Sequence, residues 1–439
     1  MEKRIVINGG KELYGEVSIS GAKNAVLKLI AAALLVEDVC LIHNVPELSD
    51  VETMVDLINS LGAKTKYSKI SQTIEIDARD INNCVADYAY VSKMRASFNV
   101  LGALLSRCGE SKVALPGGCA IGERRVDFHI NGLQLLGAEV TIENGYVVAK
   151  GEHLHGADIS LAMPSVGATE NIMLAAIFAE GVTRIQNAAQ EPEIVDLANF
   201  LNMAGADISG AGTSQIVING VQRGTLRGIE YSTIPDRIEA ASYMCAVCAA
   251  GGEVIVKDII PSHLTFFTNK MMEIGVKIDA PNPFSLRVHK DKRLRSINLI
   301  TQPYPGFHTD MQAPVMSVLA LAEGTSVITE SLFENRFMQV PELRRMGADI
   351  FQENSKAIIN GVEYLTGAEV KASDLRAGAA MVIAALAARG TSSISNIHHI
   401  DRGYEKLEEK FSALGADIKR VDIGEDLSDN QVVNPKVLL

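Results

Sequence analysis

The chain has 439 residues, 47% of them hydrophobic and 21% charged, with a formal net charge of −12. This is the composition of a globular protein with large cores, and the length allows about three average domains. An acidic chain without a basic tail repels nucleic-acid phosphates, so any anion it binds must meet a local basic pocket.

The N-terminal MEKRIVINGG has neither an apolar core nor a small-residue cleavage site, and the longest apolar stretches, such as the one after Arg376, are too short to span a bilayer. The expectation is a cytoplasmic protein with no membrane insertion and no nucleic-acid partner. Cys40, Cys84, Cys108, Cys119, Cys245 and Cys248 form no disulfide framework. Cys245 and Cys248 lie three apart in the apolar run AASYMCAVCAA and read as core filler.

In chain order, one junction recurs six times. An amphipathic helix ends at a glycine and runs into a strand: INSLGAKTKY, LQLLGAEVTI, LNMAGADISG, MMEIGVKIDA, LRRMGADIFQ and FSALGADIKR. The glycines, Gly62, Gly137, Gly205, Gly275, Gly347 and Gly415, are spaced 68–75 residues apart, each where a left-handed helix cap is expected. A second helix–strand junction interleaves with the first, as in FAEGVTRIQN and LAEGTSVITE. The helices leading into it are apolar almost all round and are therefore buried. Alternating segments such as EVTIENGYVVAK, with a Glu-Asn-Gly turn, predict hairpins. The repeat is thus a βαβαββ unit. Six units give an α/β protein of two similar three-unit domains, each enclosing its buried helices behind sheets. A solenoid would need polar capping repeats, and none is visible.

The buried helices begin at GAKNAVLKL, KMRASFNVL, PSVGATENI, PDRIEAASY, TDMQAPVMS and SDLRAGAAM. Their starts carry Lys23 with Asn24, Arg95, Ser165 with Glu170, Asp236 with Arg237, Asp310 with Gln312, and Asp374 with Arg376. Helix N-termini attract anions. Asp236 and Asp374 read as plain N-caps. Lys23 and Arg95 oppose the dipole by about 0.3–1 kcal/mol each, which an anionic ligand would offset. Three further segments carry chemistry. In ALPGGCAIGERRVDFH a glycine-rich loop between the second and third units holds Cys119, where Arg124 and Arg125 favour a thiolate. ENRFMQVPEL carries Arg336, and HHIDRGYEKLEEK carries Arg402 and Lys410.

The segments ISGAKNA, MRAS, LPGGCAIG with RVDFH, SVGAT, EPEIVD, PDRIE, TDMQA, FENRFM, DLRA and HIDRGYE together resemble the enolpyruvyl transferase family, in particular its UDP-N-acetylglucosamine 1-carboxyvinyltransferases. The likeness runs from about residue 3 to residue 421. It implies an inside-out α/β barrel of two domains, each of three βαβαββ repeats, one formed by residues 1–20 plus 234–439 and the other by 21–233. It also implies transfer of the enolpyruvyl group of phosphoenolpyruvate to the 3-hydroxyl of UDP-N-acetylglucosamine, the first committed step of peptidoglycan synthesis, and so a part in cell-wall biogenesis, cell shape, the cell cycle and cell division. By resemblance, Cys119 donates a proton and can form a pyruvate adduct, Asp310 is the base, and Lys23, Arg124 and Arg402 meet phosphoenolpyruvate. Arg336 and Arg376 complete that cationic site. Arg95, the stretch Arg124, Arg125, Val126, Asp127 and Phe128, and Ser165, Val166 and Leu332 match nucleotide contacts. Asn24 matches a sugar and phosphoenolpyruvate contact, and His129 and Glu191 stand in a second tier. No cofactor and no metal ligands are expected, the cationic cluster supplying the charge that a divalent ion supplies elsewhere. Two positions depart from the family: Arg125 follows Arg124 where proline is common, and Met163-Pro164 precedes Ser165 where lysine often stands. The closest enzyme alternative is a 3-phosphoshikimate enolpyruvyl transferase, whose Asp-Lys-Ser start is here Gly-Ala-Lys-Asn. Another is a catalytically silent UDP-sugar binder.

Overall fold

The computed structural model describes residues 3–116, 122 and 126–422. Among them, six four-stranded sheets repeat one topology: a strand, its parallel neighbour, then an antiparallel pair. The unit Val85–Ala86, helix Val100–Cys108, Glu110–Ala114, helix Asp127–Leu135, Glu139–Glu143 and Tyr146–Lys150 is the βαβαββ repeat expected from the sequence. The hairpins follow from strict alternation of buried and exposed residues: Val147 and Ala149 face inward while their neighbours face out. The sheets remain six separate sheets and close no continuous barrel. Cys119 lies outside the described residues; the elements on either side of its position in the sequence, strand Glu110–Ala114 and helix Asp127–Leu135, both belong to the second unit rather than to the second and third.

The buried apolar side chains fall into two clusters. One gathers residues 26–226; the other joins Ile5, Ile7, Leu13, Val17 and Ile19 to residues 238–418. The chain therefore crosses between them twice. Strand Lys3–Asn8 pairs with Thr391–Ser395 and Asp417–Asp422, and Leu13–Ser18 pairs with Gly252–Lys257. Strand Glu230–Ser232 returns to pair with Val39–His43. The two crossings run side by side: Asp236 N–H donates to Ser20 O at 2.9 Å and Ala22 N–H to Ile234 O at 2.7 Å.

Each cluster is built on three largely apolar helices that are buried almost all round. Helix Val100–Cys108 packs on Lys23–Ala32 and Val166–Ala176; Arg237–Ala250, Gln312–Leu319 and Leu375–Ala387 pack on one another. Small residues bring these backbones close. A side chain at Gly102 would run into the Asn171 carbonyl, and the alanines of Leu375–Ala387 let Ser317 Oγ reach Ala380 O at 2.8 Å. Each fully buried Leu, Ile or Val contributes about 1.5–3 kcal/mol. The six repeat glycines all have positive φ, from 90° at Gly347 to 116° at Gly205, the left-handed geometry that a β-carbon resists. Cys245 and Cys248 are buried in the second cluster, and burial pushes both thiols well above their usual range.

Candidate active site

Polar helix starts from the two clusters meet, the starts at Lys23 and Asp236 with each other and those at Asp310 and Asp374 through Arg376. Asp236 does more than cap its own helix. Its Oδ1 accepts from Ile238 N (2.8 Å) and Glu239 N (3.0 Å), and its Oδ2 accepts from Lys23 N (3.3 Å), the first residue of a helix that has no side-chain cap of its own. One carboxylate thus caps a helix from each half. Asp374 caps Leu375–Ala387 through Arg376 N and Ala377 N, and Ser165 caps Val166–Ala176 through Ala168 N. At Asp310 the turn is capped instead by His308, whose Nδ1 accepts from Asp310 N at 3.1 Å. Burial is the main reason that the His308 imidazole is held down to about 4 and stays neutral.

The Asp310 carboxylate lies between two arginines. Arg336 donates to Oδ1; Arg376 donates to Oδ2 from Nε at 3.2 Å and lies 3.2 Å away through its second nitrogen. Both guanidiniums are nearly buried, while the Asp310 side chain keeps 17% of its surface open. Arg336 Nε–H is buried without an acceptor among the described residues. Arg336 comes from the turns after Glu330, which accepts from Thr301 Oγ1 (2.7 Å), Thr309 Oγ1 (2.9 Å) and Leu332 N (2.9 Å) and so ties that loop to the Asp310 turn.

A second charged group spans the two halves. Lys23 Nζ lies 2.8 Å from Asp50 Oδ2, and Arg402 donates to Asp50 from Nε at 2.9 Å. Burial disfavours ionised Asp50, but Lys23 and Arg402 outweigh it and hold the carboxyl below its usual range. Burial pulls the Lys23 ammonium down, Asp50 opposes this, and the charges of Arg402 and Arg376 add to the lowering. The positive helix start expected to need an anionic ligand is answered by the chain's own Asp50 and Asp236. Asp50 escaped the sequence reading because SDVET looks like an ordinary acidic first turn.

The other expected residues are distributed around this centre. Asn24 is half-buried beside Lys23 and accepts Lys28 Nζ at its carbonyl. Arg95 opens the short turn Arg95–Asn99 and, after burial, is the second cause that presses His129 down to about 3. His129 is neutral, 3.0 Å from Asn171 Nδ2 and edge-on to Phe98, with Gly167 against its ring. Val126, Asp127 and Phe128 lead into that helix, and Ser165 and Val166 start the one that Gly167 belongs to. Glu191 is buried, and burial raises its carboxyl. It precedes Glu193, which takes Arg237 through Nε (3.0 Å) and a second nitrogen (3.2 Å) in a buried pair joining the halves. Sequence reading missed Glu193 and Tyr404, whose partners lie far away in the chain. Cys119, Arg124 and Arg125 lie outside the described residues. Gly122 is described, and it abuts Glu334 in the Arg336 loop.

The EPSP synthase (3-phosphoshikimate 1-carboxyvinyltransferase) family pattern matches residues 7–411. UDP-N-acetylglucosamine 1-carboxyvinyltransferase 1 of Caldanaerobacter subterraneus subsp. tengcongensis is 51% identical over 96% of this chain and 100% of its own length. A second such enzyme, from Clostridium acetobutylicum, is 50% identical over 96% and 100%. Among solved structures, the enolpyruvyl transferase NikO from Streptomyces tendae superposes with a TM-score of 0.87 at 26% identity, covering 95% of this chain and 99% of that one. EPSP synthase from Acinetobacter baumannii, at 0.71 and 19% over 96% and 100%, is alike in fold alone. The chain is therefore a transferase of the EPSP synthase family of enolpyruvyl transferases, and it belongs among the UDP-N-acetylglucosamine 1-carboxyvinyltransferases.

Proposed function

We propose that this protein transfers the enolpyruvyl group of phosphoenolpyruvate to the 3-hydroxyl of UDP-N-acetylglucosamine and releases phosphate. The supporting observation is the partly open Asp310 carboxylate between two buried guanidiniums. Asp310 takes the proton of the 3-hydroxyl as its oxygen attacks the enol carbon. Cys119 delivers a proton to the methylene carbon, giving a tetrahedral ketal. Loss of a methyl proton and of phosphate restores the enol ether. The substrate brings a phosphate and a carboxylate into a water-poor gap, where Lys23, Arg124, Arg402, Arg336 and Arg376 supply the counter-charge. The Arg336 Nε–H without an acceptor suits one of those oxygens.

In this reading the two apolar clusters are the cores of two domains, 1–20 plus 234–439 and 21–233, which close on the substrates. Arg95, Arg124 to Phe128, Ser165, Val166 and Leu332 line the nucleotide side, and Asn24 meets the sugar. His129 and Glu191 support that wall from behind. The protein acts in the cytoplasm, in cell-wall synthesis. Among the described residues no helix is long and apolar enough to cross a membrane.

Phosphate release from phosphoenolpyruvate, measured with UDP-N-acetylglucosamine and separately with shikimate 3-phosphate, tests the assignment. Release with the nucleotide sugar alone is expected. Release only with shikimate 3-phosphate, or binding of the nucleotide sugar without any release, refutes it.

A further inference from the structure

The mechanism leaves the buried Tyr404 unused. Tyr404 is 3% exposed and stands two residues after Arg402. Its hydroxyl lies 3.2 Å from Arg376 NH1 and 2.7 Å from Ser242 Oγ, and its ring lies 5.5 Å from the Arg376 guanidinium carbon. The direction of these bonds is fixed by counting protons. Ser242 has one hydroxyl proton and donates it to Ile238 O at 2.9 Å. Ser242 Oγ is then left as the acceptor for the Tyr404 O–H. The Tyr404 oxygen, its proton committed, accepts from Arg376, which has no lone pair to offer. A single ordered chain runs from Arg376 through Tyr404 and Ser242 to the backbone of helix Arg237–Ala250.

We propose that Tyr404 is a positioning residue for the reaction: by accepting Arg376 NH1 and stacking under the guanidinium, it orients Nε and the remaining nitrogen toward Asp310. The assignment rests on the reading of Asp310 as the base. Guanidinium donors are planar and fixed relative to each other, so anchoring one nitrogen sets the aim of the other two. The neighbouring side chains show why this segment is suited to the task. Arg402 reaches across to Asp50, and Glu405 accepts from Glu47 N at 3.0 Å and Ser20 Oγ at 2.6 Å. Of these contacts, Arg402 to Asp50 and Glu405 to Glu47 cross to the opposite half, while Ser20 belongs to the same half as Tyr404, so the segment holding Tyr404 is tied to the opposite half on both sides.

The test is steady-state kinetics of the full-length enzyme with Tyr404→Phe, Ser242→Ala and the double variant. Phenylalanine keeps the ring and removes the acceptor. Hydrogen bonds to charged groups are strong enough that kcat should fall about ten- to hundredfold in Tyr404→Phe, with KM for UDP-N-acetylglucosamine within about twofold of wild type. Ser242→Ala should give a smaller loss of kcat, and the double variant should be no worse than Tyr404→Phe, because the two bonds act in series. A wild-type kcat in Tyr404→Phe overturns the proposal. So does a loss confined to thermal stability and KM. If Tyr404→Phe does not fold, Ser242→Ala decides: reduced kcat at unchanged KM supports the relay, and wild-type kcat overturns it. Asp310→Asn, measured alongside, separates the two readings. Turnover retained in Asp310→Asn removes the base itself, whereas an inactive Asp310→Asn with a wild-type Tyr404→Phe removes the positioning role alone.

Discussion

The two three-helix cores each carry a buried polar network, but the networks end differently. In the first, Lys28 lies 3.1 Å from Glu170, Asn99 donates to Glu170 at 2.8 Å, and Asn171 bridges Asn99, His129 and Gly102 N. Lys28, Glu170, Asn99, Asn171 and His129 are all buried. In the second, Arg336 and Arg376 are equally buried, but the carboxylate they hold keeps 17% of its surface open. A sealed ion pair loses much of its Coulomb gain to desolvation and serves to specify packing. A pair with one open carboxylate keeps a group that can exchange a proton with a ligand. The same architecture thus yields a sealed ion pair in one half and, in the other, a partly open carboxylate that the proposed function uses as its base.

The largest expected effect breaks this contrast at its open end. Asp310→Asn should lower turnover about 10²–10⁴-fold in the phosphate-release assay while the protein stays folded; wild-type turnover would mean the second network is as structural as the first. Cutting the sealed network should do the reverse. Lys28→Met leaves Glu170 buried and unpaired and should cost about 3–5 kcal/mol in denaturant unfolding, with kcat retained in the folded fraction. A selective loss of kcat there would erase the distinction between the halves.

The bridge between the halves should give a smaller, binding-type effect. Asp50→Asn releases Lys23 and Arg402 and should raise KM for phosphoenolpyruvate about tenfold, within the range for a hydrogen-bonded charge; an unchanged KM would detach that cluster from the site. The sealed network also has a pH signature. His129 titrates at about 3 in the folded protein, mainly through burial and then through Arg95, against 6.5 when unfolded. The unfolded chain takes up that proton first, so the contribution is complete above 6.5 and is lost as pH falls toward 3. The loss is at most about 1.4 kcal/mol per pH unit. Urea unfolding at several acid pH values should show a shallower decline for His129→Gln than for wild type, and parallel declines would refute the assignment. At the small end, a strong chelator should leave turnover unchanged, because arginine and lysine supply the site's positive charge. Lost activity restored by a divalent ion would refute that.

Much of this was legible in the chain. The repeat, its glycine caps and the apolar helices follow from local rules: left-handed backbone favours glycine, and helices apolar on all faces must be enclosed. Asp236 and Asp374 were legible as caps for the same reason, since an N-cap acts within three residues. The resemblance named Lys23, Asp310, Arg336, Arg376 and Arg402, but not how they are arranged. Asp50, Glu193 and Tyr404 were invisible because a first-turn acid, a glutamate after proline and a tyrosine after glycine look the same whether solvated or buried.

The sequence by itself determined the six βαβαββ units and the chemistry available at each helix start, because these depend on contacts between near neighbours. Only the tertiary structure decided which starts meet. It set Asp236 as a cap shared by two helices from opposite halves, answered Lys23 with Asp50, and placed Tyr404 under Arg376. Those outcomes depend on burial and on distances between residues that can lie hundreds of positions apart. There, removal of water makes a single carboxylate or hydroxyl decide the state of its neighbour.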